Sequence, residues 1–309
     1  MTALAKAYEL YRSAGIGPTA RHSLRYTLQS PLYPILSRVL PESLYEKVVA
    51  YPVLGYWPDI RDPETFNEKL IYRKLFTDNS LYTTVSDKVR VREYVRKKVG
   101  EEILTDVYQV TTDPSSLEFE SFPDQFVIKP NHASGEVILV DETTQVEPAT
   151  VQSQCETWLE TTYKVTEREY WYRDIEPQIL VEEYIKQSDR EVPLDFKFWV
   201  FNGEVEYIDV DFDRFDDHQI RFFDRSWEPM DFQIGYPLGP AIEPPPDLER
   251  MIQIAEKLAE DFDFARIDLY NPSQGEILFG EITLTPSAGW ARFDPIEFDY
   301  HFGDLWDMG

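Results

Sequence analysis

Cysteine is almost absent. Cys155 is the only one in 309 residues, which excludes an intramolecular disulfide, a zinc ribbon and a CxxC redox pair and fits an intracellular address. Long apolar runs are missing as well: no stretch approaches the roughly 18 residues needed to cross a bilayer. Met1 to Gly17 alternates polar and apolar residues without the continuous apolar core of a signal peptide, so a soluble, cytoplasmic protein is expected. Lysine is scarce, 12 of the 30 Lys and Arg, against 57 Asp and Glu, and the formal charge is -27 with a pI near 4.4. Such a field repels nucleic acid and anionic headgroups, and nucleic acid is excluded as a partner. Because the acid excess is spread along the whole chain, the composition is that of a halophilic protein working in a high-salt cytoplasm. The four histidines, at 22, 132, 218 and 301, are too scattered for a histidine-built metal site.

Aromatics and apolar residues are present in strength, 15% and 42%, enough to bury a core despite a mean hydropathy of -0.42. Residues 1–75 read as a helical N-terminal extension with helices over Thr2 to Ala14 and Leu40 to Val53, separated by Pro31, Pro34, Pro41 and Pro52. The apolar segment Leu28 to Leu40 suits either docking on a membrane or partner, or packing on the main domain. From Ser86 the pattern turns to mixed α and β. Ser86 is expected to cap a helix through Lys88, Val91, Val95 and Val99 that Gly100 ends. Phe126 to Lys129 and Val137 to Val140 read as a hairpin, Thr150 to Glu169 as a helix and Ile179 to Ile185 as a strand. Asn202-Gly203 joins a second hairpin, Phe196 to Phe201 with Glu204 to Val210. An amphipathic helix over Leu248 to Asp261 precedes a third, Phe264 to Tyr270 with Gly275 to Leu284.

No GxxxxGK[ST] loop, HExxH or GxSxG is present. Gly15-Ile-Gly17 imitates a dinucleotide fingerprint, but no strand precedes it and Pro18 interrupts the turn. Two other places carry chemistry. Val127-Ile-Lys129-Pro-Asn-His132-Ala-Ser134-Gly135 puts a lysine at a strand end before a loop of small residues, which is either a polyphosphate cradle or a surface hairpin with an edge lysine. In Arg266-Ile-Asp268 and Glu281-Ile-Thr283, alternation places Arg266 with Asp268 on one face and Glu281 with Thr283 on one face. Two carboxylates can then meet across the hairpin, either around a cation such as Mg²⁺ or as solvated acids of an acidic surface.

In order along residues 80–290, Asp87-Lys88, Lys129 with its Gly/Ser loop, Glu182 to Ile185, Asp195-Phe-Lys197, Asp268 and Glu281 resemble the ATP-grasp superfamily. The strings NEKLIYRK, DKVRVREYV, VIKPNHASGEVI, LVEEYI, DFKFWVFNG, ARIDLY and FGEITLTPSAG look like its TupA-like family, associated with teichuronopeptide and cell-surface polysaccharide biosynthesis. The resemblance implies an α+β ATP-grasp fold over 76–309, a lid-like subdomain about 126–185 and a catalytic subdomain about 186–309 clamping ATP. It implies Lys88 and Lys129 on the α and β phosphates, Ser134 and Gly135 over them, Glu182 on the adenine amino group with the backbone of Glu183 and Ile185 as hinge, and Asp195 on the ribose. Lys197 would meet the γ phosphate, His132 and Arg266 the carboxylate or γ phosphate, and Asp268 and Glu281 would hold Mg²⁺. Thr283 stands where superfamily ligases commonly have Asn, so the third ligand is a hydroxyl or a water. Arg266 has a second reading as a structural ion pair with Asp268.

The activity implied is carboxylate–amine ligation through an acyl phosphate, ADP-forming, on a small-molecule carboxylate and an amine or glycan. The alternatives are a kinase of a sugar or alcohol and a non-catalytic nucleotide-binding scaffold. Neither the substrates nor the oligomeric state is readable from the residues, and peripheral association with a cell-surface glycan assembly stays open.

Overall fold

The computed structural model describes residues 32–141, 146–161, 163, 167–187, 193–212 and 218–309. The helix expected over Thr2 to Ala14 lies outside them. Five helices come first: α1 (Leu32–Val39), α2 (Glu42–Leu54), α3 (Phe66–Phe76), α4 (Ser80–Ser86) and α5 (Val91–Val99). Pro52 does not end α2; it sits in the last turn, and the helix closes at Gly55, whose φ of 82° is left-handed. Helix α3 was not read from sequence, although Thr65 and Glu68 form a capping box at its start: Thr65 Oγ1 accepts the Glu68 N–H at 3.2 Å and Glu68 Oε2 accepts the Thr65 N–H at 3.0 Å. Ser86 does not cap α5 but ends α4. Asp87 makes the turn instead, its Oδ1 accepting the N–H groups of Val89 at 2.9 Å and Arg90 at 3.3 Å, and Lys88 falls in that turn.

A four-stranded antiparallel sheet has the order β1-β4-β2-β3, from β1 (Val107–Thr111), β2 (Phe126–Pro130), β3 (Ile138–Val140) and β4 (Ile179–Glu183). Phe126, Ile128, Ile179 and Val181 point to α6 (Pro148–Glu160), meeting Val151, Cys155 and Trp158 in one cluster. The helix expected over Thr150 to Glu169 thus stops at Glu160. Alternation turns Val127, Lys129 and Glu182 to the opposite side.

The larger sheet joins β5 (Asp195–Phe201), β6 (Glu204–Phe212), β7 (Gln219–Asp224), β9 (Phe264–Ser273) and β10 (Glu276–Thr283) in the order β10-β9-β5-β6-β7. A two-stranded ribbon, β8 (Gln233–Ile234) with β11 (Phe293–Asp294), lies apart. Asn202 and Gly203 have φ of 49° and 89°, the backbone of a two-residue hairpin turn. One face of the large sheet, with Phe196, Phe198, Val200, Ile208, Val210, Ile267 and Leu269, packs on α5 and on α7 (Leu248–Ala259) in the main core. The other face is covered only towards the Asn-Gly turn. There Trp199, Phe201, Tyr207, Phe222 and Phe264 meet Phe66 of α3 and Phe302 and Trp306 at α8 (Glu297–Leu305). The rest of that face carries Asp195, Lys197, Asp209, Asp211, Arg266 and Asp268.

Helices α2 and α3 close a small core of Tyr45, Val49, Ile71 and Trp290, against which Leu36 and Leu40 pack. Ile35 and Val39 stay 55% and 67% exposed, so the 32–40 part of the apolar N-terminal segment packs with one side only.

Candidate active site

A cavity of about 1080 Å³ separates the two sheets. It is lined by Lys88, Lys129, Ser134, Gly135, Glu182, Glu183, Ile185, Asp195, Lys197, Arg266, Asp268, Glu281 and Thr283, every residue expected at the site except His132. Lys88 reaches it because the α4–α5 turn is tied to the end of β2: the Lys88 N–H donates to the Asn131 carbonyl at 3.0 Å and Asn131 Nδ2 to Asp87 Oδ1 at 2.9 Å. Lys88 Nζ donates to the Ala133 carbonyl. Burial brings its pKa down to about 8; Glu281 opposes this and Lys129 adds to it.

On the small sheet Lys129 pairs with Glu182. The Glu182 Oε2 accepts from Thr105 Oγ1 at 3.3 Å and lies 4.0 Å from Arg92 Nη1. Glu182 is therefore engaged with a cation of its own wall. The Glu183 N–H donates to the Asp106 carbonyl at 2.9 Å, holding the strand end against β1, and Ile185 lies just beyond β4. Gly135 has φ of 81° with nothing within 4 Å of a Cβ built there, so the loop over Lys129 is left-handed and open.

On the large sheet a bulge decides the geometry. Leu269 pairs with Phe279 but Asp268 pairs with Glu281, the register shifting at Gly280. A Cβ at Gly280 would stand 3.0 Å from the Asp268 carbonyl oxygen. The shift brings the two acids opposite each other, and Arg266 lies between them. Its Nε and Nη2 donate to Asp268 Oδ1 and Oδ2 at 2.8 and 2.7 Å, and Nη2 reaches Thr283 Oγ1 at 3.2 Å and Glu281 Oε1 at 3.4 Å. Burial works against the charged guanidinium and Asp268 more than reverses that, while burial pushes the Asp268 carboxyl up to about 8 against the pull of Arg266; the pair is buried and bidentate.

Asp268, Glu281 and Thr283 still fit Mg²⁺ as a donor set: hard oxygens on adjacent strands, with the Glu281 side chain 35% exposed, for an ion that takes one or two carboxylates and completes its shell from phosphate and water. Among the described residues no group of three or more Asp, Glu, His or Cys is placed to hold a metal.

Lys197 does not stand free for a γ phosphate. It is buried, donating to Asp195 Oδ2 at 2.7 Å and to Asp211 Oδ2, and these acids lift its pKa against the pull of burial. Asp211 Oδ1 meets His218 Nε2 at 2.9 Å, and the His218 ring lies 4.0 Å from that of Tyr236. His132, expected at the carboxylate or γ phosphate, is not among the residues that line the cavity. It is buried away from the cavity, Nδ1 at 3.2 Å from Asn131 Oδ1 and Nε2 at 3.2 Å from the carbonyls of Trp158 and Thr161. These are carbonyls at the C-terminus of α6, where an imidazole finds acceptors without facing substrate.

Arg92, Asp209, Asp211, His218 and Glu169 also line the cavity and were not singled out from sequence. The alternation Ile208-Asp209-Val210-Asp211 after the Asn-Gly turn was a usable signal for two of them.

A model of the TupA-like ATPgrasp family matches residues 68–307. The chain belongs to this family. A search of curated proteins gives no match. Among solved structures, this TupA-like ATPgrasp chain is similar to D-alanine–D-alanine ligase from Bacillus anthracis, at 18% identity and TM-score 0.43 over 72% of this chain and 66% of that one. It is also similar to L-amino acid ligase from Bacillus licheniformis, at 14% identity and TM-score 0.42 over 72% and 49%. VanG D-Ala:D-Ser ligase from Enterococcus faecalis matches at 13% and 0.39 over 67% and 54%. The chain spans less than two thirds of these ligases' own lengths.

Proposed function

We propose that the cavity binds ATP with Mg²⁺ and that the protein is an ADP-forming carboxylate–amine ligase of cell-surface polysaccharide or glycopeptide biosynthesis, acting in the cytoplasm. The observation that carries the reading is the facing of Lys88 and Lys129 on one wall with Asp268 and Glu281 on the other, across one cavity of a TupA-like ATPgrasp chain. Lys88 and Lys129 take the α and β phosphates under the Ser134-Gly135 loop of a lid formed by about 126–185. Glu182 exchanges Lys129 for the adenine amino group, Glu183 and Ile185 line the base, and Asp195 takes the ribose. Residues 186–309 supply the catalytic half, and 1–75 the N-terminal segment. Asp268 and Glu281, with Thr283, would hold Mg²⁺, which when bound neutralises charge on the transferring phosphoryl group. Arg266, fixed by Asp268, orients the carboxylate and the γ phosphate. Lys197 acts as the counter-ion that lets Asp195 and Asp211 share the cavity floor. The γ phosphoryl passes to the carboxylate, giving an acyl phosphate and ADP; an amine then forms the C–N bond and phosphate leaves. Positioning and charge neutralisation suffice for these steps.

The test is ADP release in a screen of amino acids against uronic acids, with product analysis. An amide and free phosphate support the ligase. A stable phosphorylated sugar would make it a kinase, and binding without turnover a scaffold.

Two predictions belong to this reading. Lys88, at about 8 rather than 10.5, holds fewer protons in the folded than in the unfolded chain between those values; its burial therefore costs stability below pH 8, and the cost fades as pH rises to 10.5. Anion binding runs the other way. Mg-ATP affinity measured by calorimetry should fall above pH 8, by up to about tenfold per unit, and Lys88→Met should be weaker and flat over that range. With -27 formal charges, self-repulsion should be severe at about 0.01 M salt, where the Debye length is about 30 Å, and largely screened at about 1 M. Thermal unfolding in KCl should show Tm rising steeply over that range; full stability in dilute buffer would remove the halophilic reading.

A further inference from the structure

The segment that enters the cavity wall at Glu169 is gripped by the first three of the leading helices, α1, α2 and α3. Lys74 Nζ on α3 donates to the Glu167 carbonyl at 2.9 Å. Arg168 is 5% exposed and has φ of 59°, a left-handed backbone that an arginine adopts only when its surroundings enforce it. They do so here. Its guanidinium donates to Glu42 Oε1 at 3.1 Å and to the Ser37 carbonyl at 3.1 Å, and lies 4.4 Å over the ring of Tyr45. Ser37 is on α1, Glu42 and Tyr45 on α2. The consequence falls on the next residue: Glu169 is buried at the cavity, where its Oε1 accepts from the Thr285 hydroxyl. Tyr172 lines the cavity beside it, its phenol held neutral first by burial and then by Glu169 and Glu281.

Of the three participants in the proposed reaction, ATP and the carboxylate are anions, and among the cations that line the cavity Lys88, Lys129 and Arg266 are suited to them. Only the amine arrives as a cation at neutral pH. A carboxylate at the wall, set among Thr285, Tyr172 and the Glu281 charge, repels the first two and favours the third.

We infer that Glu169 is the subsite for the incoming amine, received as an ammonium that passes one proton to this carboxylate before the free amine attacks, and that the N-terminal helices are a brace which, through Arg168, fixes that carboxylate at the cavity wall. The inference rests on the ligase reading. Glu169 would touch substrate; Arg168 is a positioning residue.

The test is calorimetric titration of the full chain, loaded with Mg-ADP, with glycinamide as the cationic probe. Wild type should bind it. Glu169→Gln should bind at least about tenfold more weakly while taking Mg-ADP as wild type does, and Glu169→Asp should recover part of the loss. Arg168→Gly, which relieves the backbone but removes the grip, should weaken glycinamide by a similar factor although Glu169 is intact. With a carboxylate active in the ADP screen, Glu169→Gln should still yield the hydroxamate from hydroxylamine, a nucleophile neutral at pH 7, while amide formation with glycinamide is lost. Equal glycinamide affinity in wild type and Glu169→Gln, or none in wild type, would overturn the subsite; a lowered Tm with unchanged glycinamide binding would leave Glu169 a structural support only. Failure to take Mg-ADP would strike the nucleotide reading instead, and glycinamide titration of the nucleotide-free chain would then decide the subsite by the same comparison.

Discussion

Glu281→Gln is expected to cut ADP formation by about 100-fold or more while leaving the fold intact. Glutamine keeps the shape and can still accept from Thr283, whose hydroxyl now donates to Glu281 Oε1 at 3.0 Å; what is lost is one charge opposite Asp268. If the two acids jointly hold Mg²⁺, that charge contributes where negative charge develops on the transferring group, and single electrostatic contacts of this kind are worth about 10² to 10³ in rate. If they are only acids on an acidic face, removing one of two like charges should slightly stabilise the chain and leave turnover unchanged. Glu249→Gln, on the exposed side of α7, controls for the general loss of charge. Equal activity in the two variants would place the metal elsewhere and take the assignment of Asp268 with it.

Arg266→Met should be both inactive and unstable. Asp268 is 2% exposed, and its two oxygens are held by the one guanidinium; breaking a buried pair on one side typically costs about 3–5 kcal/mol because the remaining charge is left without compensation. Urea unfolding measures the loss. Millimolar Mg²⁺ should restore part of it in the variant, since the ion would supply the counter-charge that the arginine gave, and should do much less for the wild type. A loss below about 1 kcal/mol, or no response to Mg²⁺, would mean that Asp268 is neutral or already compensated by other groups.

Local signals were legible in the sequence wherever one residue sets the backbone. Asn202-Gly203 makes its turn, Gly100 ends α5, and the three hairpins lie where the apolar runs put them. What the alternation could not give directly was register. A two-residue turn after Phe201 pairs Val200 with Val205, but a bulge then sets Trp199 against Tyr207, Lys197 against Asp209 and Asp195 against Asp211. Without it the Lys197 face would carry Ile208 and Val210, and Asp209 and Asp211 would enter the apolar core. The demand for a bulge was thus implicit in the pattern, and with it the acids beside Lys197. The bulge at Gly280 is the same case: alternation gave the face of Glu281, while its place opposite Asp268 depends on one inserted residue.

Ser86 and His132 are placed elsewhere by their neighbours. Each has the right chemistry for the expected role, but Asp87 accepts from the N–H groups of the turn, and the end of α6 offers His132 two carbonyls. The grip of Ser37, Glu42 and Tyr45 on Arg168 spans more than 120 residues, and no local pattern announces it.

The central claim is that the cavity between the sheets is a nucleotide site completed by Lys129 on the small sheet and by the acids of the large one. Thermal unfolding of the wild type and of Lys129→Met, in the KCl concentration where both are folded, with and without Mg-ATP, tests it most directly. Wild type should gain roughly 2.7 kcal/mol at about one hundred times Kd, and Lys129→Met, freed of the ion pair with Glu182 but lacking the cation, should gain little at the same concentration. No shift in the wild type at millimolar Mg-ATP, or an equal shift in both, would contradict the account.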